Sequence, residues 1–242
     1  NDEISPLTIS FNKMLSRLDE AFTAQKQFSA NAAHELRTPL AVIQTNLEVF
    51  ARRETPALKD YQEIFSMLQE QTGRLSHLAE ILLDMTGVQT VERSERISLA
   101  ALTDEVFCDL ASVAEQKEVE LIQLEGDCII TGSYLLLYRA VYNLVENAIK
   151  YNHSGGKVTV NIHPSEEITD TSTSVNYVFL EVSDTGIGIP PEYQEKIFTP
   201  FFRVDKSRSR AMGGAGLGLA LVSEIVRQHN GQVKVLESSK KL

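Results

Sequence analysis

Apolar residues in the first third of the chain recur in alternating steps of four and three. One seam runs Phe11, Leu15, Leu18, Phe22, Gln25, Ser29, Ala32, Leu36, Pro39, Ile43, Asn46 and Phe50, with polar residues in its middle. This is the spacing of a helix packed along a heptad seam. After a polar turn at Arg53-Glu54-Thr55-Pro56, a second seam runs Leu58, Tyr61, Phe65, Leu68, Thr72, Leu75, Ala79 and Leu82. The pattern predicts two long helices in an antiparallel hairpin. One hairpin cannot cover so much apolar seam, so pairing of two copies into a four-helix bundle, and hence a homodimer, is expected.

Beyond about Arg93 the pattern changes. Ser98 is placed to cap a helix carrying Leu102, Val106, Leu110 and Val113. Strands are predicted over Val119 to Leu124, Val158 to His163, Tyr177 to Ser183 and Gln232 to Leu236, and a helix from about Tyr134 to Lys150. Short helices mixed with strands make this half an α+β domain. Pro164 to Asn176 is rich in Ser, Thr, Asp and Glu and has no apolar period, which marks an exposed loop.

Composition narrows the function. There are 23 Lys plus Arg against 33 Asp plus Glu, a formal charge of −10, which argues against direct nucleic-acid binding. Two cysteines, Cys108 and Cys128, form no CxxC pair, so neither a disulfide framework nor a zinc site is expected. No apolar run approaches the ~18 residues of a membrane span, and Asn1-Asp2-Glu3 does not open a signal peptide, so the chain as given is expected to be soluble.

Candidate chemistry begins on the first helix. If Ala32 and Leu36 lie in the seam, His34 lies midway between them and points away from the partner helices. Glu35 is its neighbour and Thr38 lies at i+4, so an imidazole, a carboxylate and a hydroxyl are expected on one outer surface. A lone surface histidine needs no function, and spacing alone does not decide between the two. Pro39 lacks a backbone donor and is expected to bend the helix just beyond this cluster.

In the second half, Arg139, Asn143, Asn147 and Lys150 recur at steps of four, four and three beside the apolar Leu137, Val141, Leu144 and Ala148. Any amphipathic helix alternates in this way. An amide stripe ending in lysine also suits phosphates and Mg²⁺, which takes few protein ligands and keeps waters and phosphate oxygens. DTGIGIP, Asp184 to Pro190, follows a strand and offers glycines for a turn or for close backbone approach. A second glycine-rich turn leads into a helix expected to start near Gly216, where backbone donors and the helix dipole favour phosphate. The segment before it, DKSRSRAM, is charged rather than a buried strand, which excludes a dinucleotide fold, and no GxxxxGK[ST] loop occurs.

FSANAAHELRTPL, Phe28 to Leu40, resembles the phosphoacceptor box of sensor histidine kinases. NLVENAIKY, Asn143 to Tyr151, resembles the asparagine box of that family, and DTGIGIP its first glycine box. FTPFFR, Phe198 to Arg203, resembles the phenylalanine box, and GGAGLGLAL, Gly213 to Leu221, the second glycine box. The resemblance implies that His34 is the phosphoacceptor, Glu35 the base on its other ring nitrogen and Arg37 a phosphate-side support. It implies that Thr38 positions water when the phosphorylated partner is dephosphorylated. By the same resemblance Asn147 binds Mg²⁺, Asn143 and Lys150 face the phosphates, and Asp184 reads the adenine amino group in a pocket shaped by Gly186 and Gly188. Tyr151, Phe198, Arg203, Gly214, Gly216, Leu217 and Gly218 complete the implied ATP site. Between the last two boxes, Arg203 to Met212 reads as a basic lid whose Lys206, Arg208 and Arg210 can compensate phosphate charge, although a solvated charge run is the more common use of such residues.

The implied architecture is an all-α hairpin that dimerises, followed by a Bergerat-type ATP-binding sandwich. Residues 1–20 resemble the end of a HAMP linker, 21–92 a dimerisation and histidine phosphoacceptor domain, and 93–242 a catalytic ATP-binding domain. A HAMP linker follows a membrane helix, so the resemblance implies a longer, membrane-anchored protein with this part on the cytoplasmic side. Its implied partners are a second copy, ATP and the receiver domain of a response regulator. Ala215 departs from the family, which has threonine or serine there. That favours one alternative, a catalytically weak nucleotide-binding signalling module. The other, an ATPase of the same nucleotide fold, is opposed by the phosphoacceptor box.

Overall fold

The computed structural model of the chain describes residues 4–87, 91–165, 177–204 and 215–236. The chain divides into two compact units, residues 1–82 and 83–242.

The first unit is built on α1, Ile4–Ala51, and most of α2, Leu58–Gly87. The turn between them is closed by side chains. Asp60 lies in the first turn of α2 and accepts the Ala57 N–H at 2.8 Å, half of a capping box, while also pairing with Arg53. The Ala57 N–H and then Arg53 hold the Asp60 carboxyl below the usual carboxylate range. Phe50 and Tyr61 meet edge to face across the turn, 5.1 Å between ring centres. α1 runs unbroken through Pro39, which is buried.

The expected seam of α1 is covered only in its second half. Ala32, Leu36, Ile43 and Phe50 are half-buried, whereas Phe11, Leu15, Leu18 and Phe22 are exposed. On α2 the covered face is displaced by one residue from the expected seam. It runs Ile64, Met67, Gln71, Arg74, Leu78 and Ile81, with Gln71, Leu78 and Ile81 buried, while Leu58, Tyr61 and Phe65 stay exposed. Both rows have heptad spacing and differ by about 100° around the helix, so one row can be covered within a chain while the other stays open.

The second unit layers helices on a sheet. In chain order it contains β1 (Glu95–Ser98), α3 (Leu99–Gln116), β2 (Glu120–Gln123), β3 (Ile129–Gly132), α4 (Tyr134–Lys150), β4 (Lys157–Pro164), β5 (Val178–Asp184) and α5 (Gly218–Gln228). Two short 3₁₀ turns, Pro191–Tyr193 and Lys196–Phe198, lie between β5 and α5. β1 pairs antiparallel with β3; β4 lies between β2, parallel to it, and β5, antiparallel. Along β4, Val158, Val160 and Ile162 point inward and alternate with Thr159, Asn161 and His163. These three residues meet Leu102, Val106 and Leu110 of α3 and Val141, Val145 and Ile149 of α4 in one core. Burial of that apolar surface is the main force holding the layers together.

Polar groups fix the register of the helices. Ser98 caps α3 by accepting the Ala101 N–H at 3.1 Å, as expected, and Asp127 accepts both the Ser98 hydroxyl at 2.9 Å and the Ala100 N–H at 3.0 Å. Tyr134 and Tyr138, one turn apart on α4, donate to Glu105 and Asp109, one turn apart on α3. The Glu105 hydrogen bond, with burial, pushes the Tyr134 phenol up to about 12; burial and then Asp109 raise that of Tyr138.

The Asp127 cap gives a pH-dependent prediction. The Ala100 N–H, and less strongly the Ser98 hydroxyl, hold its carboxyl below the usual range, so the folded state favours the anion. The resulting stability is present above the unfolded-state value near ~3.9 and is lost as pH falls through the lower folded value. Asp127→Asn is expected to lower stability at pH 7 towards the bottom of the ~0.5–2 kcal/mol range of helix caps, since the site is open to water. Thermal unfolding checks this: the gap between variant and parent closes as pH drops below about 4.

Three sequence expectations change. Gln232 to Leu236 is irregular rather than a strand: Val233 and Val235 are half-buried between exposed neighbours, but no backbone ladder joins them to a described strand. β1 and β3 were not anticipated, because four-residue strands with a single buried residue each leave little apolar alternation to read. The last helix begins at Gly218 rather than near Gly216, whose φ of 73° lies in the left-handed region and cannot continue a helix.

Candidate functional site

His34 is exposed on α1, as its place outside the seam requires. It lines an open groove with Arg37, Thr38, Ala41, Val42, Thr45 and Asn46, all from α1. The Thr38 hydroxyl donates to the His34 carbonyl at 3.2 Å. Pro39 has no N–H to offer the Glu35 carbonyl one turn back, and the Thr38 hydroxyl bonds the neighbouring carbonyl, that of His34, at the same turn. Glu35 is half-buried and outside the groove, and among the described residues no hydrogen bond joins it to His34. Adjacent helical residues diverge by about 100°, so the structure brings His34, Arg37 and Thr38 together but not Glu35.

The second unit gathers most of the other predicted residues. The α4 stripe is formed as expected, with the Asn143 amide donating to the Arg139 carbonyl at 2.8 Å. Arg139 itself is engaged in an ion pair with Asp84. Gly218, the first residue of α5, stands against this stripe: a side chain there would collide with Asn143 Oδ1 and come within 3.7 Å of Asn147 Nδ2. Among the described residues the α5 N-terminus has no side-chain cap. Its first N–H groups are therefore presented uncapped beside two amides, an arrangement suited to an anion. Among the described residues the Asn147 side chain makes no hydrogen bond, so its carbonyl oxygen is free for a hydrated cation. No cluster of three His, Cys, Asp or Glu that could hold a metal occurs among the described residues.

At the C-terminal end of α4, one turn beyond Asn147, Lys150 lies 5.9 Å over the Tyr151 ring. The Lys117 ammonium reaches back from the end of α3 to the Lys150 carbonyl at 2.6 Å, satisfying an orphan acceptor of the helix C-terminus. The Asp184 turn packs on this end: Ile187 N–H donates to the Tyr151 carbonyl at 3.2 Å, and a side chain at Gly186 would collide with the same oxygen. Asp184 is exposed, with one carboxylate oxygen accepting the Gly186 N–H at 2.8 Å and the other carrying no such bond among the described residues. Gly188 takes a left-handed φ of 68°.

Phe198 ends the second 3₁₀ turn, and the chain after it meets the second glycine segment through the Phe201 N–H, which donates to the Gly216 carbonyl at 2.8 Å. Arg203 lies by Gly216, and its Nε and Nη2 are buried without a hydrogen-bond partner among the described residues. Leu217 is buried to 1% exposure, so only its backbone can face a ligand. Gly214 and the lid residues Lys206, Arg208, Arg210 and Met212 lie outside the described residues. Sequence reasoning missed Asn152 and Thr185, which hold the Asp184 turn to the end of α4; their signal was a polar residue just past the helix cap and a hydroxyl inside DTGIGIP.

Residues 24–90 match the family model of the His Kinase A (phospho-acceptor) domain. Residues 132–241 match that of the Histidine kinase-, DNA gyrase B-, and HSP90-like ATPase. Sensor histidine kinase CusS of Escherichia coli (strain K12) is 32% identical over 241 residues, covering 98% of this chain and 48% of CusS. RppB of Synechocystis is 35% identical over 222 residues (89% of this chain, 47% of RppB). ArlS of Staphylococcus aureus is 32% identical over 243 residues (97% and 51%). Histidine kinase ThkA, solved in complex with the response regulator protein TrrA, superimposes with a TM-score of 0.68 at 21% identity, covering 92% of this chain and 60% of that one. Acinetobacter baumannii AdeS gives 0.59 at 24% identity over 81% and 86%. These two likenesses establish the fold alone.

The chain belongs to the sensor histidine kinase family, with a phosphoacceptor domain followed by the family's ATPase domain. It spans about half the length of the curated relatives it matches.

Proposed function

We propose that this protein transfers the γ-phosphoryl group of Mg·ATP to His34 and then to an aspartate on the receiver domain of a response regulator. The observation that carries this reading is the α4 stripe, Asn143 and Asn147, set against the uncapped start of α5 in a chain that also exposes His34 within a phosphoacceptor sequence. The free amide of Asn147 fits Mg²⁺, which supplies charge neutralisation across the phosphates when bound. Asn143, Lys150 and the first α5 N–H groups hold the phosphates, and Arg203, with buried donors unsatisfied, adds positive charge. Asp184 offers its second carboxylate oxygen to the adenine amino group, with Tyr151, Gly186, Gly188 and Phe198 around the base. A neutral imidazole nitrogen attacks the γ-phosphorus, ADP leaves and the ring loses its proton, for which Glu35 is the base once side-chain rotation brings the two together.

Two copies pair along the apolar rows left open on α1 and α2, which is supported by the exposure of Phe11, Leu15, Leu18, Phe22, Leu58 and Phe65 and by the phosphoacceptor domain. Residues 1–20 serve as the end of a HAMP linker, 21–92 as the phosphoacceptor domain and 93–242 as the ATP-binding domain. α1 crosses residue 20 without a break, so a linker would feed directly into the phosphoacceptor helix. The full-length protein is then anchored in a membrane with this part on the cytoplasmic side; no described helix is itself long and apolar enough to cross one.

The transfer is tested by mixing γ-labelled chain with receiver domains and following the label to an aspartate; label that reaches no receiver counts against it. The same assay separates two residues. Glu35→Ala is expected to slow autophosphorylation by about a hundredfold, the lower end for loss of a general base. Thr38→Ala is expected to keep autophosphorylation and transfer but to lose dephosphorylation of the regulator, since its hydroxyl lies one turn beyond His34. Because that hydroxyl also bonds the His34 carbonyl, equal loss of both activities in a folded Thr38→Ala dimer would make it a support of the helix at Pro39 instead.

A further inference from the structure

Asn152, two residues past the end of α4, is only 8% exposed. Its Nδ2 donates to the Lys157 carbonyl at 2.9 Å, and its Oδ1 accepts the His153 N–H and the Thr185 hydroxyl, both at 3.0 Å. Thr185 closes the ring. Its Oγ1 accepts the Lys157 N–H at 2.9 Å and its own N–H donates to the Lys157 carbonyl at 3.1 Å. The amide and hydroxyl thus tie three places together: the end of α4, the start of β4 and the turn after β5. With the Ile187 N–H on the Tyr151 carbonyl, the Asp184 turn is fastened to the helix that carries Asn143 and Asn147.

We infer that Asn152 and Thr185 are positioning residues that fix the span between the base-reading carboxylate of Asp184 and the phosphate-side amides of α4, and so set the preference for adenine over guanine. The inference rests on the nucleotide-site reading above. One oxygen of Asp184 is committed to the Gly186 N–H, so only the other can meet the base, and its placement depends on where the turn is held. Adenine presents an amino donor there, whereas guanine presents a carbonyl oxygen that a carboxylate repels. A fixed turn enforces both the attraction and the repulsion. A loosened turn weakens the hydrogen bond to adenine and can retreat from guanine, so selectivity falls from both sides.

The test is the affinity of the full chain for Mg-ATP and for Mg-GTP, by calorimetry, in the parent, Thr185→Val, Thr185→Ala, Thr185→Ser and Asn152→Ala, with melting curves on each. Thr185→Val and Asn152→Ala are expected to weaken ATP about tenfold, the scale of one buried hydrogen bond, with GTP little changed or slightly better, and Thr185→Ser to restore the parent ratio. Should Thr185→Val fail to fold, Thr185→Ala, which leaves room for a water, makes the comparison. An unchanged ATP-to-GTP ratio, an equal loss for both nucleotides, or unfolding of both Thr185→Val and Thr185→Ala would overturn the positioning role in favour of a merely structural one. A parent chain that binds no ATP, or binds GTP as tightly, would instead overturn the nucleotide site on which the inference rests.

Discussion

His34→Gln is expected to abolish phosphorylation of the chain while leaving its affinity for Mg-ATP unchanged. A glutamine amide keeps a polar side chain of similar reach but has no nucleophilic nitrogen, because its lone pair is delocalised into the carbonyl. The substitution costs little structurally: His34 is exposed, outside the covered face of α1, and surface changes of this kind usually stay within about 0.5 kcal/mol. The nucleotide groups, Asn143, Asn147, Asp184 and the start of α5, all belong to the other unit. Autophosphorylation and calorimetric ATP titration, run on the same preparation, measure the two quantities. A large loss of ATP affinity in a folded variant would mean that the histidine contributes to the nucleotide site, and the division of labour between the two domains would be wrong.

Asn147→Asp is expected to have the second largest effect, at least about a hundredfold on Mg-ATP binding or turnover. A unit charge about 4 Å from another is worth about 4 kcal/mol at an effective dielectric near 20, and a bound metal offsets only part of that repulsion from the phosphates. The change is nearly isosteric. The Asn147 side chain makes no hydrogen bond among the described residues, so the fold loses no partner. The site is confined as well, since Gly218 already lies against Asn143 and Asn147 with no space for a methyl group. Steady-state autophosphorylation at varied ATP and Mg²⁺ would show the loss, and parent-like kinetics would remove Asn147 from the site.

How far the chain could be read in advance depended on the range of the interactions. The two long helices and α4 were legible because helical periodicity is local and repeats over many turns, as in Leu137, Val141 and Ala148 beside Asn143 and Asn147. β4 was legible from its alternation alone. β1 and β3 were not, since Glu95 meets Gly132 and Ile97 meets Ile130 only through a pairing more than thirty residues apart in sequence. The strand expected at Gln232 to Leu236 had the alternation but no described neighbour to pair with, and alternation supplies no ladder by itself.

The same limit applies to the site. His34 and the amide stripe follow from position on a helix, and Gly218 from a glycine string that leads into one. The seam of α2 was read one residue away from the face the chain covers, because two heptad rows of comparable apolarity run side by side and only packing selects between them. Glu35 looked like a contact of His34 by adjacency, yet successive helical residues diverge, and the structure leaves them unbonded. Asn152 and Thr185 read as ordinary turn residues. Their burial and mutual bonds arise only when α4, β4 and β5 assemble.

The central claim, that this chain phosphorylates its own His34 from ATP, is tested most directly by mapping the phosphate. The chain is incubated with Mg-ATP labelled in the γ-phosphate, digested at alkaline pH and analysed by mass spectrometry. The predicted result is a single phosphorylated peptide containing His34, whose label survives base and is lost in acid, as a phosphorus–nitrogen bond requires. Label that survives acid, or that maps to a serine, threonine or any residue other than His34, would contradict the account.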